Sequence, residues 1–186
     1  MKITFIRHGY TAGNMEKRYI GRTDEPLCAE GISELLERTY PTSEVVVSSP
    51  MRRCLETAKI IYPNVKIMIV NELQECDFGD FEGKNYTELS SDSRYQAWID
   101  SGGEMVFPNG ESPREFRQRC CVGFLQAFDV LDSRESAAFV VHGGTIMAIL
   151  DRFSAPHRDY FDWQCDNGGG YVCQWNGIKL KVTEKL

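Results

Sequence analysis

The chain has 186 residues, a formal net charge of −6, and 42% hydrophobic and 26% charged residues. This length favours a single domain with a substantial core, and the composition is typical of a globular protein. The negative charge argues against non-specific binding to nucleic acid or to acidic membranes. No apolar run approaches the roughly 20 residues of a membrane-spanning helix, and the first residues do not resemble a signal peptide.

Seven cysteines are scattered along the chain without a C-x-x-C pair. Their odd number and irregular spacing predict neither a disulfide framework nor a metal site. Free thiols in a reducing cytosol are the simplest interpretation, so we expect a cytoplasmic protein. No internal repeat or low-complexity segment divides the sequence, and we therefore expect one domain over residues 1–186.

Apolar runs alternate with helical patterns along the chain, which predicts an α/β layer structure. In the first part, the predicted elements are a strand at 2–7, a loop at 9–28, a helix at 29–38, a strand at 44–48, a helix opened by Ser49-Pro50 that reaches about Ile61, and a strand at 65–70.

The second part begins with a loop-rich stretch at 71–111 that contains a short helix at 95–100. Its portion from about 76 to 111 is long for a connection within a compact domain, and it is predicted to be a lid-like insertion. The remaining predicted elements are a helix from the capping box Ser112–Glu115 to about Asp132, a strand at 137–141, a helix at 144–153, and a hairpin of 171–175 and 178–182 around Asn176-Gly177.

Two of the three histidines end a predicted strand directly before a glycine, in Arg7-His8-Gly9 and His142-Gly143-Gly144. The carboxyl ends of strands in an open α/β sheet form the usual ligand crevice. Arginine offers a fixed donor fork for phosphate, and histidine can attack phosphorus or move a proton. A single histidine in this position is more often structural, but the matched pair predicts an anion site.

Two further segments carry candidate groups for such a site. Arg52 and Arg53 lie in the first turns of a predicted helix, where anions are favoured. Because neighbours on a helix point about 100° apart, only one of them is expected to reach the site. The segment 72–83 holds five carboxylates. Most are expected to be solvated loop charges, but one at the rim of a phosphate pocket, with a raised pKa, would protonate a leaving alkoxide.

Taken together, these motifs resemble the histidine phosphatase superfamily, in its phosphoglycerate mutase-like branch. The resemblance covers nearly the whole chain in the family's order. It implies a three-layer α/β/α fold with a mostly parallel central sheet. The matching segments are Arg7-His8-Gly9, Asn14 with Arg18–Leu27, Ser49–Ala58, Leu73–Gly83, Gly110-Glu111-Ser112 and His142-Gly143-Gly144.

The resemblance also implies the chemistry. It implies a phosphomonoesterase that forms a phosphohistidine on a small-molecule phosphate ester, with no metal or other cofactor. His8 would be the nucleophile, Glu75 the proton donor and His142 a third catalytic group. The implied phosphate-binding residues are Arg7, Asn14, Arg53 rather than Arg52, and Gly143.

Several strings are similar to the small bacterial alpha-ribazole phosphatases of cobalamin assembly, among them 19–24, 78–84, 95–100 and 107–112. Broad-specificity phosphatases share much of this pattern. A phosphoglycerate mutase and a catalytically silent phosphate-binding module are further alternatives. Tyr10 departs from the Glu or Gln usual in the family at this position. Four aromatic residues either face a base in the substrate or pack a small core of the insertion: Tyr86, Tyr95, Trp98 and Phe107.

Overall fold

A computed structural model describes residues 1–131 and 134–186. Within these ranges, six strands form one sheet and helices cover both of its faces. The strands are β1 (Lys2–Arg7), β2 (Val45–Ser48), β3 (Ile67–Ile69), β4 (Ser136–Val141), β5 (Gly170–Trp175) and β6 (Leu180–Lys185). The α-helices are α1 (Ala12–Met15), α2 (Ala29–Glu37), α3 (Arg52–Ile61), α4 (Tyr86–Leu89), α5 (Ser93–Asp100), α6 (Pro113–Leu131) and α7 (Gly143–Phe153).

The strand order is β3-β2-β4-β1-β5-β6, and β3, β2, β4 and β1 pair in parallel. β5 runs antiparallel to both of its neighbours. The predicted α/β class with a mostly parallel sheet is therefore confirmed. In the β1–β4 pair, Arg7 lies opposite Val141, so the residues that follow these two strands emerge side by side at one edge of the sheet.

The side chains of β1 alternate between two cores, as expected of a strand covered on both faces. Ile3 and Phe5 belong to the core under α6 and α7, whereas Ile6 packs with Cys54 and Ala58 of α3. All five are fully buried. Burying an apolar side chain of the size of isoleucine or phenylalanine stabilises the fold by about 1.5–3 kcal/mol, so both helical layers hold β1 in place.

The predicted insertion contributes a group of aromatic side chains to the core beneath α6 and α7. Phe81, Tyr95 and Phe107 are buried in it, with ring centroids 5.4 Å apart for Phe81–Tyr95 and 6.0 Å for Phe81–Phe107. Of the four aromatic residues considered as a substrate platform, Tyr95 is thus a packing residue, whereas Phe107 is buried but also lines a cavity. Tyr86 is 61% exposed and lies outside this core, while Trp98 is half-buried beside it.

Two boundaries near the first histidine motif differ from the predictions. The stretch predicted as a loop at 9–28 contains α1, because Thr11 and Asn14 form a capping box that satisfies its first turn. α3 begins at Arg52, with Met51 as its N-cap, rather than at Ser49-Pro50. The Ser49 hydroxyl is instead 2.8 Å from Nε2 of His142.

The hairpin turn is also longer than predicted. Trp175 pairs with Leu180, so four residues rather than two connect β5 and β6. The Asn176 side chain accepts hydrogen bonds from the backbone N–H groups of Ile178 (2.9 Å) and Lys179 (2.8 Å), which stabilises the longer turn. For α6, the predicted end at about Asp132 lies outside the described residues.

None of the helices in the described ranges is long and apolar enough to cross a membrane.

Candidate active site

The register of β1 and β4 brings His8 and His142 together. The backbone N–H of His8 donates to the Val141 carbonyl at 2.9 Å, and the two imidazole centroids are 5.2 Å apart. Nδ1 of His8 lies 2.7 Å from the Gly9 carbonyl oxygen. A carbonyl can only accept, so Nδ1 carries the proton and Nε2 keeps its lone pair. His8 is thereby fixed in the tautomer that a nucleophile requires.

Asn167 holds the loop after β1 and was not singled out from the sequence. Its side-chain amide donates to the carbonyl of His8 at 3.0 Å and to Oδ1 of Asn14 at 3.1 Å. Oδ1 of Asn14 also accepts from the Thr11 N–H at 3.2 Å. Because this oxygen is occupied, Asn14 has its Nδ2 group left to donate to a ligand. The one sequence feature that could have pointed to Asn167 is its position directly before three consecutive glycines, Gly168–Gly170.

Two arginines lie beside the histidines. Arg7 donates through Nη1 to the Cys165 carbonyl at 2.8 Å. Arg53 is fully buried and donates to the Thr23 carbonyl at 2.8 Å and to the Gly21 carbonyl at 2.9 Å. The buried Nε of each has no hydrogen-bond partner among the described residues. Buried donors of this kind favour an anionic ligand.

Arg52 points away from this cluster. Its Nε lies 2.7 Å from a carboxylate oxygen of Glu56 one turn along α3, and its side chain is 59% exposed. The 100° offset between neighbouring helix positions explains why one arginine is buried and the next is at the surface. The burial of Arg53 therefore agrees with its selection by the family motif.

Burial controls the charge of both histidines. Desolvation lowers the pKa of His8 well below 6.5, and the guanidinium groups of Arg53 and Arg7 lower it further. The pKa of His142 is lowered well below 6.5 by desolvation first and by Arg53 next. Both rings are therefore neutral near pH 7, and His142 acts as a hydrogen-bonding group rather than as a cation.

Glu75 is buried at the amino end of α7. Its carboxylate accepts from the N–H of Cys76 at 2.9 Å and from the N–H of Gly144 at 3.2 Å. Burial raises the pKa of this carboxyl, although these hydrogen bonds and the charge of Arg53 oppose the rise. A Cβ at position 144 would lie 2.5 Å from Oε1 of Glu75, so only glycine allows this close approach. The two hydrogen bonds and this close packing hold the carboxyl at the amino end of α7.

Two cavities adjoin the cluster. One, of about 440 Å³, is lined by Arg7, Glu75, Gly143, Gly144 and other mainly polar residues. The second, of about 180 Å³, shares Glu75, Gly144 and Met147 with the first. Its remaining wall is largely aromatic and includes Phe78, Trp98, Phe107, Phe116, Tyr160 and Phe161. The predicted acid therefore stands between a polar and an aromatic compartment.

The seven residues predicted from the sequence thus lie around one site. His8, His142, Arg7 and Arg53 form its charged and imidazole-bearing centre, and Asn14 joins it through Asn167. Gly143 is the first residue of α7, and its Cα carries no side chain; a Cβ there would lie 3.3 Å from Nε of Arg7. Nowhere in the described ranges do three His, Cys, Asp or Glu side chains gather in an arrangement that holds a metal ion.

The chain is similar to proteins of known name along nearly its whole length. The adenosylcobalamin/alpha-ribazole phosphatase of Escherichia coli K12 is 27% identical over 189 residues, which cover 97% of this chain and 90% of that protein. The structure of the alpha-ribazole phosphatase from Shigella flexneri superposes with a TM-score of 0.86 at 24% identity, covering 98% and 95% of the two chains.

A second solved structure, a phosphoglycerate mutase from Thermus thermophilus, matches with a TM-score of 0.74 at 26% identity and covers 100% of this chain and 98% of that one. The family model of the histidine phosphatase superfamily (branch 1) matches residues 3–184. Together with the phosphatase names among the relatives, this match shows that the chain is an enzyme and belongs to the histidine phosphatase superfamily.

Proposed function

We propose that the protein is a phosphomonoesterase that forms a phosphohistidine on His8. The observation that carries the proposal is the hydrogen bond of 2.7 Å between Nδ1 of His8 and the Gly9 carbonyl, because it leaves Nε2 as a neutral nucleophile beside two arginines. The acid Glu75 lies at the same cavity as Arg7.

In the first step, Nε2 of His8 attacks phosphorus in line with the ester oxygen. The P–O bond breaks, its electron pair goes to the leaving oxygen, and Glu75 gives that oxygen a proton. Arg7, Arg53 and the N–H of Gly143 donate to the equatorial oxygens, where charge is carried in the transition state. His142 and Nδ2 of Asn14 add neutral donors.

In the second step, a water molecule attacks the phosphohistidine. The carboxylate of Glu75 accepts a proton from this water as the new P–O bond forms. The P–N bond breaks and its electron pair returns to Nε2 of His8. Inorganic phosphate leaves, and Glu75 is again protonated for the next cycle.

For the substrate, we propose alpha-ribazole 5′-phosphate or a close relative. Two observations support this choice. The relative from Escherichia coli bears that activity in its name, and the aromatic cavity of about 180 Å³ next to Glu75 suits an alcohol that carries an apolar ring. The seven free cysteines suit a reducing compartment, and we place the protein in the cytoplasm.

The first experiment is phosphate release, in EDTA, from a panel of alpha-ribazole 5′-phosphate, sugar phosphates, 3-phosphoglycerate and p-nitrophenyl phosphate. We expect kcat/KM to be highest for the ribazole ester, by about 10²-fold or more, since buried ring contacts are worth a few kcal/mol. Similar values across the panel would replace this substrate with a broad range, and isomerisation of 3-phosphoglycerate would indicate a mutase.

The phosphohistidine is tested separately by quenching turnover of a ³²P-labelled ester and following the label on the protein. We expect a label that is stable in alkali and labile in acid, and that is absent from His8→Ala. A label that persists in His8→Ala, or activity of that variant within tenfold of the wild type, would exclude His8 as the nucleophile.

A further inference from the structure

The loop at 20–23 lies between two charged side chains that do not touch each other. On one side, Oε1 of Glu82 accepts hydrogen bonds from the N–H groups of Gly21 (2.8 Å) and Thr23 (2.9 Å). On the other side, the carbonyl oxygens of the same two residues accept from Arg53, at 2.9 Å and 2.8 Å. Glu82 belongs to the insertion and Arg53 to α3, so this loop connects the two.

This arrangement joins a carboxylate to a guanidinium through the uncharged backbone of one short loop. A direct ion pair with Glu82 would occupy N–H groups of Arg53 that a phosphate needs. Glu82 instead holds the loop from its N–H groups, which keeps the neighbouring carbonyl oxygens in place for Arg53. The peptide between Ile20 and Gly21 bonds to both side chains, because its N–H donates to Glu82 and its carbonyl oxygen lies 3.4 Å from Nη2 of Arg53. The terminal nitrogens of Arg53 are thereby fixed, while its buried Nε has no partner among the described residues.

The loop also packs against a third segment. A Cβ on Gly21 would overlap the carbonyl oxygen of Cys76, the residue after the predicted acid. The loop therefore packs directly against the segment that carries Glu75. A shift of the loop away from Glu82 would change the carbonyl positions that orient Arg53, and nothing else from the insertion accepts a hydrogen bond from these two amides in the described ranges.

We propose that Glu82 is a positioning residue for phosphate binding and acts through the loop at 20–23 on Arg53. The proposal rests on the proposed function insofar as Arg53 is taken as a phosphate ligand. Glu82 contacts no ligand in this account. Its role is to hold the backbone at Gly21 and Thr23 so that the carbonyl oxygens of these two residues keep the guanidinium of Arg53 in one orientation.

The test is a double-mutant cycle with the dissociation constant of inorganic phosphate as the readout, measured by calorimetry without any turnover. We expect Glu82→Ala to weaken phosphate binding by about tenfold in the wild-type background, within the range of coupling between residues of one hydrogen-bond network. In an Arg53→Lys background, which lacks the planar fork, the same substitution should change binding by less than about twofold. Equal losses in both backgrounds would overturn the proposal.

Two further variants sharpen the result. Glu82→Gln keeps an oxygen that accepts from both amides, so it should restore affinity to within about threefold of the wild type; a loss as large as that of Glu82→Ala would also overturn the proposal. Glu88→Ala removes another carboxylate of the insertion, which bonds to Arg18 and Asn85 and not to the loop, and should leave phosphate affinity unchanged. If Glu82→Ala does not fold, Glu82→Asp replaces it in the cycle, because the shorter side chain withdraws the oxygen.

Because binding is measured directly, the two proposals fail separately. If the wild-type protein hydrolyses no ester but shows the expected coupling, the proposed function is wrong and the role of Glu82 stands. If the protein hydrolyses esters through His8 but shows no coupling, the role of Glu82 is wrong and the proposed function stands.

Discussion

At the scale of single residues, burial acts in opposite directions on the bases and the acid of the site. It lowers the pKa values of His8 and His142 and raises that of Glu75. A neutral imidazole and a protonated carboxyl are the forms that attack phosphorus and protonate the leaving oxygen. The same desolvation therefore favours the form of each group that this reaction uses.

Replacing Glu75 by glutamine tests the acid. For esters with a poor leaving group, we expect Glu75→Gln to lower kcat by about 10²–10⁴. For p-nitrophenyl phosphate, whose leaving group needs little protonation, the loss should be much smaller. With the wild type, kcat for the poor leaving group should fall as pH rises through the raised pKa of Glu75. Equal losses on both substrates would exclude Glu75 as the proton donor.

The residues to which we assign the chemistry stand out in the sequence, whereas the hydrogen bonds that hold them in place do not. His8, Arg53 and Glu75 stand in motifs whose residue types are dictated by phosphate chemistry. Asn167 and Glu82 act through hydrogen bonds to backbone groups that are distant in sequence. Such partners depend on which loops become neighbours, and no local pattern encodes that.

At the scale of elements, α3 places two adjacent arginines in different environments. The prediction of a start at Ser49-Pro50 was wrong because Ser49 bonds to His142 and the N-cap passes to Met51. The later start does not alter the 100° offset between Arg52 and Arg53. The helix therefore buries Arg53 beside the histidines and leaves Arg52 at the surface.

These two arginines make a matched pair for mutagenesis. We expect Arg53→Lys to lower kcat/KM for p-nitrophenyl phosphate by about 10²-fold or more, because a lysine is a point charge and cannot reproduce the guanidinium fork. Arg52→Lys should stay within about twofold, since the exposed Arg52 side chain pairs with Glu56 and not with the histidine cluster. A larger loss in Arg52→Lys than in Arg53→Lys would show that phosphate binding had been assigned to the wrong arginine. Thermal melts of both variants control for folding.

At the scale of the whole molecule, the sheet order was not derivable from the chain. Periodicity predicted the strands, but the placement of β4 between β2 and β1 arises from crossovers that join distant segments. This order makes the two histidine motifs neighbours, and it also buries them between the two helical layers. A consequence of that burial is a dependence of global stability on pH.

The direction in which stability changes with pH follows from the pKa shifts. For His8 and His142 the folded-state pKa lies well below the ordinary 6.5, so the unfolded chain binds more protons just below that pH. Their contribution to stability is complete above pH 6.5 and is lost as pH falls towards the folded pKa values. Glu75 acts in the opposite direction, because its raised pKa costs stability as pH rises above 4.5. Two histidines outweigh one carboxyl in the window from about pH 5.5 to 6.5.

We therefore expect the free energy of unfolding, measured by urea in phosphate-free buffer, to fall as pH is lowered from about 6.5 to about 5.5. Each histidine that stays neutral in the fold contributes a slope of up to about 1.4 kcal/mol per pH unit. His142→Gln should remove at least half of the slope, because Glu75 opposes the two histidines, whereas His157→Gln, at an imidazole that is 59% exposed, should leave it unchanged. Carboxylates with lowered pKa values, such as Asp92 at about 2, titrate below this window and do not affect the comparison. Equal slopes in the wild type and His142→Gln would show that His142 is not held neutral by burial.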